Sequence, residues 1–112
     1  MFFVPDDAKI FFYSKPVSQQ KGIDALTSVI QNEMNMQPCI GQYFLFCNTK
    51  RDRFKILYRD GDNFAIWFRR FEGTLSFRYT NQIIIFDKNN FLEFLKKTSF
   101  KQHYTLKHIF DN

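Results

Sequence analysis

The sequence predicts an α+β fold: a single small domain, mostly an antiparallel β-meander of about five to six strands, with one helix after the first strand and a second near the C-terminus. Three observations carry this. Short apolar or alternating runs between Gln42 and Phe77 are separated by polar, turn-prone breaks. Apolar residues recur at helical spacing after the first apolar run. A second helical pattern follows Asp87. A chain of 112 residues with 45% hydrophobic content is sized for one domain with a modest core. The expected division is a lead-in over 1–8, a core over 9–97 and a tail over 98–112.

Lys9–Tyr13 reads as a short strand, broken by Ser14-Lys-Pro-Val17. Ser18 is a candidate N-cap for an amphipathic helix over 19–33, with Ile23, Leu26, Ile30 and Met34 on its apolar side. Gly22 in its first turns costs about 1 kcal/mol relative to Ala, which points to close packing there. After a loop with Pro38 and Gly41 come strands at Tyr43–Cys47, Arg53–Arg59 and Asn63–Phe71. Leu75–Tyr79 reads as a fourth meander strand. Ile83–Phe86, a continuous apolar run, reads as a buried strand. Asp87 caps a helix from Lys88 to Lys97, with Phe91, Leu92, Phe94 and Leu95 on its apolar side and Lys96-Lys97 at its C-terminal end, where cations complement the helix dipole. The polar stretch 98–112, with scattered aromatics, is ambiguous.

The break Arg59-Asp-Gly-Asp-Asn63 is a turn, with Gly61 free to take positive φ. A loop of Asp60 to Asp62 pairs Tyr58 with Phe64, Ile56 with Ile66 and Phe54 with Phe68, apolar on apolar. The other face then carries Leu57 with Ala65, Lys55 with Trp67 and Arg53 with Arg69. A two-residue loop mixes the faces, and faces set register in a half-buried sheet, so the three-residue loop is preferred. It makes a stripe of Arg53, Lys55, Arg59 and Arg69 interleaved with Trp67. Like charges directly opposite are destabilising, and an anion between Arg53 and Arg69 would relieve that. Splaying into solvent, or compensation by Asp52 and Glu72, would relieve it too.

The formal net charge is +5. Residues 50–78 hold eight basic and four acidic residues, so +4 of the total lies there. All six arginines lie between Arg51 and Arg78, and every basic residue outside this stretch is lysine. The rigid fork of arginine suits phosphate and carboxylate. A localised basic region is the footprint of a polyanion binder, and also of a solvated face without a partner. Cys39 and Cys47 form no metal or redox spacing, and Cys47 ends an apolar run as a small buried side chain. A reducing, cytoplasmic setting follows. No signal-peptide pattern is read, and no run approaches the roughly 20 apolar residues that span a bilayer.

Catalytic chemistry is not indicated. His103 and His108 have no nucleophile motif near them, and Asp60-Gly61-Asp62 reads as a solvated turn. Phosphate-loop, calcium-loop and zinc spacings are all missing. No metal or cofactor is called for, and the chain reads as a non-enzyme.

Four segments carry a resemblance: Pro16-Val-Ser-Gln-Gln-Lys-Gly-Ile-Asp-Ala-Leu26; Gly41-Gln-Tyr-Phe-Leu-Phe46; Lys50-Arg-Asp-Arg-Phe-Lys-Ile-Leu-Tyr-Arg-Asp-Gly-Asp-Asn-Phe64; and Arg69-Arg-Phe-Glu72, followed by Gly73 and Phe77. They resemble the TnpB accessory protein of the bacterial insertion-sequence 66 family, over most of 9–95. Arg51, Asp52, Arg53, Lys55, Asp60, Gly61, Arg70 and Glu72 match its motifs. Ser18 and Gln20 stand where the family has Asp and Arg, and Arg59 where it has an aromatic. The resemblance implies a transposition accessory protein working beside a large transposase. Two readings follow. In one, a basic hairpin contacts DNA phosphates through Lys50, Arg51, Arg53, Lys55, Arg59, Trp67, Arg69 and Arg70. In the other, the sheet face around Trp67 and Leu57 docks the transposase without direct DNA binding. Self-association is left open.

Overall fold

In the computed structural model, which describes residues 4–96, five strands and two helices follow in the order β1 (Lys9–Tyr13), α1 (Ile23–Asn32), β2 (Gln42–Cys47), β3 (Arg53–Asp60), β4 (Asn63–Arg70), β5 (Ile84–Phe86) and α2 (Lys88–Lys96). The strands form one sheet in the order β4-β3-β2-β1-β5. β2, β3 and β4 are the expected meander. β1 lies beside β2 in parallel, with α1 as the connection between them, as a parallel neighbour requires. β5 adds antiparallel to β1 at the far edge.

Both faces of the sheet are covered. On one, Phe11, Tyr13, Phe44, Phe46 and Leu57 pack with Leu26, Val29 and Ile30 of α1. On the other, Ile10, Phe12, Leu45, Phe54 and Ile56 pack with Phe71, Leu75 and with Phe91 and Leu95 of α2. Alternate residues of β1, β2 and β3 therefore enter opposite cores, and the central strands read as nearly continuous apolar runs. Phenylalanine fills the α2 side: Phe54 lies 5.4 Å from Trp67 and 5.1 Å from Phe71 between ring centroids.

This two-sided burial corrects the expected hairpin register. The turn has two residues, with Asp60 opposite Asn63, Leu57 opposite Ile66, Ile56 opposite Trp67 and Arg53 opposite Arg70. Gly61 takes φ 63°, which the first position of a tight type II′ hairpin turn needs. The three-residue loop keeps the apolar residues of the hairpin on one face, and that rule loses its force when both faces are buried. The slip turns every β4 side chain over.

Leu75–Tyr79 is not a ladder strand. β5 sits at the opposite edge from β4, so the chain must cross the sheet, and it does so as a strap on the α2 face. The strap is pinned at both ends. The Phe71 and Leu75 amides donate to the carbonyls of Asp52 (2.6 Å) and Arg51 (2.7 Å). Ser14 Oγ donates to the Thr80 carbonyl and accepts from its amide, both at 3.0 Å. Between them Phe77 meets Phe12 edge-on at 4.9 Å. Arg51, at φ 59°, lays its guanidinium 4.1 Å over the Phe77 ring and donates to the Phe77 carbonyl at 2.5 Å.

Other boundaries shift for local reasons. Gly22, not Ser18, is the N-cap of α1. Ser18 Oγ instead accepts from the Gln20 amide in the preceding turn, at 3.2 Å. Nothing lies within 4 Å of a Cβ built on Gly22, so close packing does not account for it. Lys55 Nζ fixes this lead-in by donating to the carbonyls of Gln19 (2.5 Å) and Lys21 (2.9 Å), and burial pushes its pKa down. β5 is an edge strand with Ile85 60% exposed, not a buried one. Asp87 caps α2 as expected, its Oδ1 accepting from the Asn90 amide at 2.7 Å. Lys97 and the tail 98–112 lie outside the described residues.

Phe54→Ala empties the centre of the α2-side core and should cost about 3–5 kcal/mol in a denaturant melt. Arg51→Gly tests the strap. Glycine relieves the positive φ, so a net loss of about 1 kcal/mol with faster amide exchange at Phe71 and Leu75 is expected from loss of the clamp alone.

Candidate nucleic-acid interface

The register decides which basic side chains share a surface. β3 turns Arg53, Lys55, Leu57 and Arg59 toward the α1 face, and β4 turns Phe64, Ile66, Phe68 and Arg70 the same way. Trp67 and Arg69 lie on the α2 face. There Trp67 packs on Phe54, and the Arg69 guanidinium sits 5.2 Å from the Trp67 ring. The predicted stripe is thus divided between two faces, and Arg70 replaces Arg69 opposite Arg53.

Two of the eight sequence-predicted residues are committed to architecture. Arg51 holds the strap through Phe77, and Lys55 holds the lead-in to α1. Lys50, Arg53, Arg59 and Arg70 remain on or beside the α1 face. Arg59 stands near the turn, its guanidinium 5.3 Å over Phe64 and its Nε 3.5 Å from the Gly61 carbonyl. Arg53 is six positions away, roughly 20 Å along the strand. Arg53 and Arg70 oppose each other, with exposed Lys50 in the loop just before β3.

Local structure explains why this end is built firmly. Asn48 Oδ1 accepts from the amides of Asp52 (3.1 Å) and Arg53 (3.0 Å), and its Nδ2 donates to Asp52 Oδ1 at 2.7 Å. The 48–52 loop is closed by this network, and Asp52 is engaged in it. Among the described residues, no carboxylate lies within ion-pair distance of Arg53 or Arg70. Glu72, the other acid weighed as a counter-charge, is exposed.

Arg53 also lines a shallow cleft of about 330 Å³ with Val17, Ser18, Gln19, Asn48, Thr49 and Lys50. Its Nε and the Gln19 Oε1 are buried without a hydrogen-bond partner among the described residues. Sequence reasoning missed Gln19, inside the first recognised segment, and Thr49, beside the third; neither carries a charge. The cleft offers guanidinium, ammonium, hydroxyl and amide groups, a set suited to an oxyanion.

The chemistry for covalent work is not assembled among the described residues. Burial pushes the Cys47 thiol up to about 12, which keeps it protonated, and Cys39 is exposed. No group of three or more His, Cys, Asp or Glu is placed to hold a metal among them. His103 and His108 lie outside them. No described helix is long and apolar enough to cross a membrane.

No curated protein and no solved structure matches this chain. The model of one family, described as IS66 Orf2-like protein, matches residues 8–102. That span takes in both helices, all five strands and the basic hairpin, and the chain therefore belongs to the IS66 Orf2-like family, a family associated with insertion-sequence transposition.

Proposed function

We propose that this chain is a non-catalytic accessory of transposition that holds DNA backbone phosphates at the Arg53–Arg70 end of its hairpin and so assists the cognate transposase at element ends or target. The observation that carries the reading is the opposition of Arg53 and Arg70 with no carboxylate within ion-pair distance of either among the described residues. Like charges paired across strands cost stability, and a phosphate between two guanidinium forks turns that cost into charge-assisted hydrogen bonds. Lys50 lies beside them, and Arg59 extends the contact toward the turn. Contacts of this kind set position on the duplex and carry no base readout.

A transposase-docking role without DNA contact is the second reading. Its surface moves from Trp67, which packs on Phe54, to Phe68, which is 49% exposed on the α1 face.

Fluorescence anisotropy with element-end DNA and a scrambled duplex, across a salt series, separates the two. Log affinity should fall with log salt at about 0.9 per phosphate neutralised. Arg53→Ala/Arg70→Ala should flatten that slope by about two, while Arg69→Ala, on the other face, leaves it unchanged. Flat, weak binding by every sample, with co-purification of the transposase in the absence of DNA, would replace the first reading with the second.

A further inference from the structure

β4 is a terminal strand of the sheet, eight residues long, without proline. Its ladder with β3 runs through eight successive pairs without a bulge. Long, regular edges of this kind invite another strand, and proteins that stay monomeric blunt them with proline, bulges or inward charges. The apolar centre of β4, Phe64-Ala-Ile-Trp-Phe68, carries none of these devices.

The two-residue turn fixes which backbone groups face outward. The pair flanking such a turn, Asp60 and Asn63, exchanges hydrogen bonds, and bonded pairs then alternate along the ladder. The N–H and C=O of Asn63, Ala65, Trp67 and Arg69 point to β3. Those of Phe64, Ile66, Phe68 and Arg70 point away from it, to an edge that pairs with no other strand among the described residues.

We propose that β4 pairs antiparallel with β4 of a second copy of this chain about a two-fold axis at Ile66, joining the two sheets into one. A two-fold axis normal to the sheet sets Ile66 opposite Ile66 of the second copy, and keeps like faces together. Phe64 then meets Phe68 of the second copy, and Asp62 meets Arg70 of the second copy. Each outward-facing backbone group of the 64–68 centre finds its complement in this register. The side-chain pairs are complementary as well: aromatic with aromatic, aliphatic with aliphatic, and acid with base at both ends. Phe68, 49% exposed in the single chain, gains a neighbour. Asp62, in the turn before β4, and Arg70, at the far end of β4, are both exposed. The occupant is a second copy because this segment is its own complement: its turn end is acidic and its far end is basic, so reversal matches charge with charge. The pairing does not require the proposed phosphate contacts, although Arg70 takes part in both. It also sets both Arg53–Arg70 ends on one side of the continuous sheet.

Sedimentation velocity of the full-length chain without DNA, over a concentration series, tests this. A reversible dimer is expected. Phe68→Lys and, separately, Phe68→Pro should yield monomers with an unchanged circular-dichroism spectrum; the N–H that the proline removes is an outward one, so no ladder bond to β3 is lost. Asp62→Arg alone should weaken the dimer by roughly tenfold, and the charge swap Asp62→Arg/Arg70→Asp should restore it. That rescue is a result no folding defect reproduces. A monomer at all concentrations would overturn the proposal, as would a dimer indifferent to both Phe68 variants. A monomer with the Phe64, Ile66 and Phe68 amides protected from exchange would assign the edge to another segment of the same chain.

Discussion

The two-residue turn at Gly61-Asp62 is the constraint on which the arrangement of this domain depends. A residue other than glycine would be strained at the φ of 63° that Gly61 adopts. The turn length then fixes the β3–β4 pairing, and the pairing fixes which core each side chain enters. With this register Trp67 closes over Phe54 on the α2 side, and Arg70 comes to stand opposite Arg53. One residue more in the loop would exchange the contents of the two faces of β4. The aromatic core and the basic surface are therefore set by the same local event.

Basic residues in this chain divide their labour by position more than by type. Arg51 and Lys55 sit within five positions of each other in the sequence. Each spends its donors on a distant carbonyl: Arg51 on Phe77 and Lys55 on Gln19 and Lys21. They tie the strap and the lead-in of α1 to the same strand region. Arg53, between them, is left with a buried Nε that finds no partner among the described residues, beside a cleft of polar groups. Fixing its neighbours holds the Arg53 side chain at the cleft, and such preorganisation lowers what a ligand must supply to bind.

Much of the fold was legible because local signals agreed. β1, the strands of the meander and the Asp87 cap follow from alternation, turn residues and capping chemistry that act within a few residues. The confinement of arginine to one stretch pointed to the right region of the surface. What was not legible needed information from farther away. Leu75 and Phe77 alternate like a strand, but the next strand pairs at the opposite edge, so the segment becomes a strap. Ser18 looks like a cap, yet the helix starts four residues later behind Gly22. The β4 register departs from the apolar-face rule because that rule assumes one wet face, and α1 and α2 leave none over the central strands. Arg51 gave no sign of its role, since its partner lies 26 residues on.

Cross-strand α-proton contacts measured by NMR would test the register most directly. The α-protons approach closely in the non-hydrogen-bonded pairs of an antiparallel ladder. Strong contacts between Leu57 and Ile66 and between Lys55 and Phe68 are what the two-residue turn requires. Contacts between Ile56 and Ile66 would contradict it. They would return Trp67 to the face of Lys55 and separate Arg53 from Arg70.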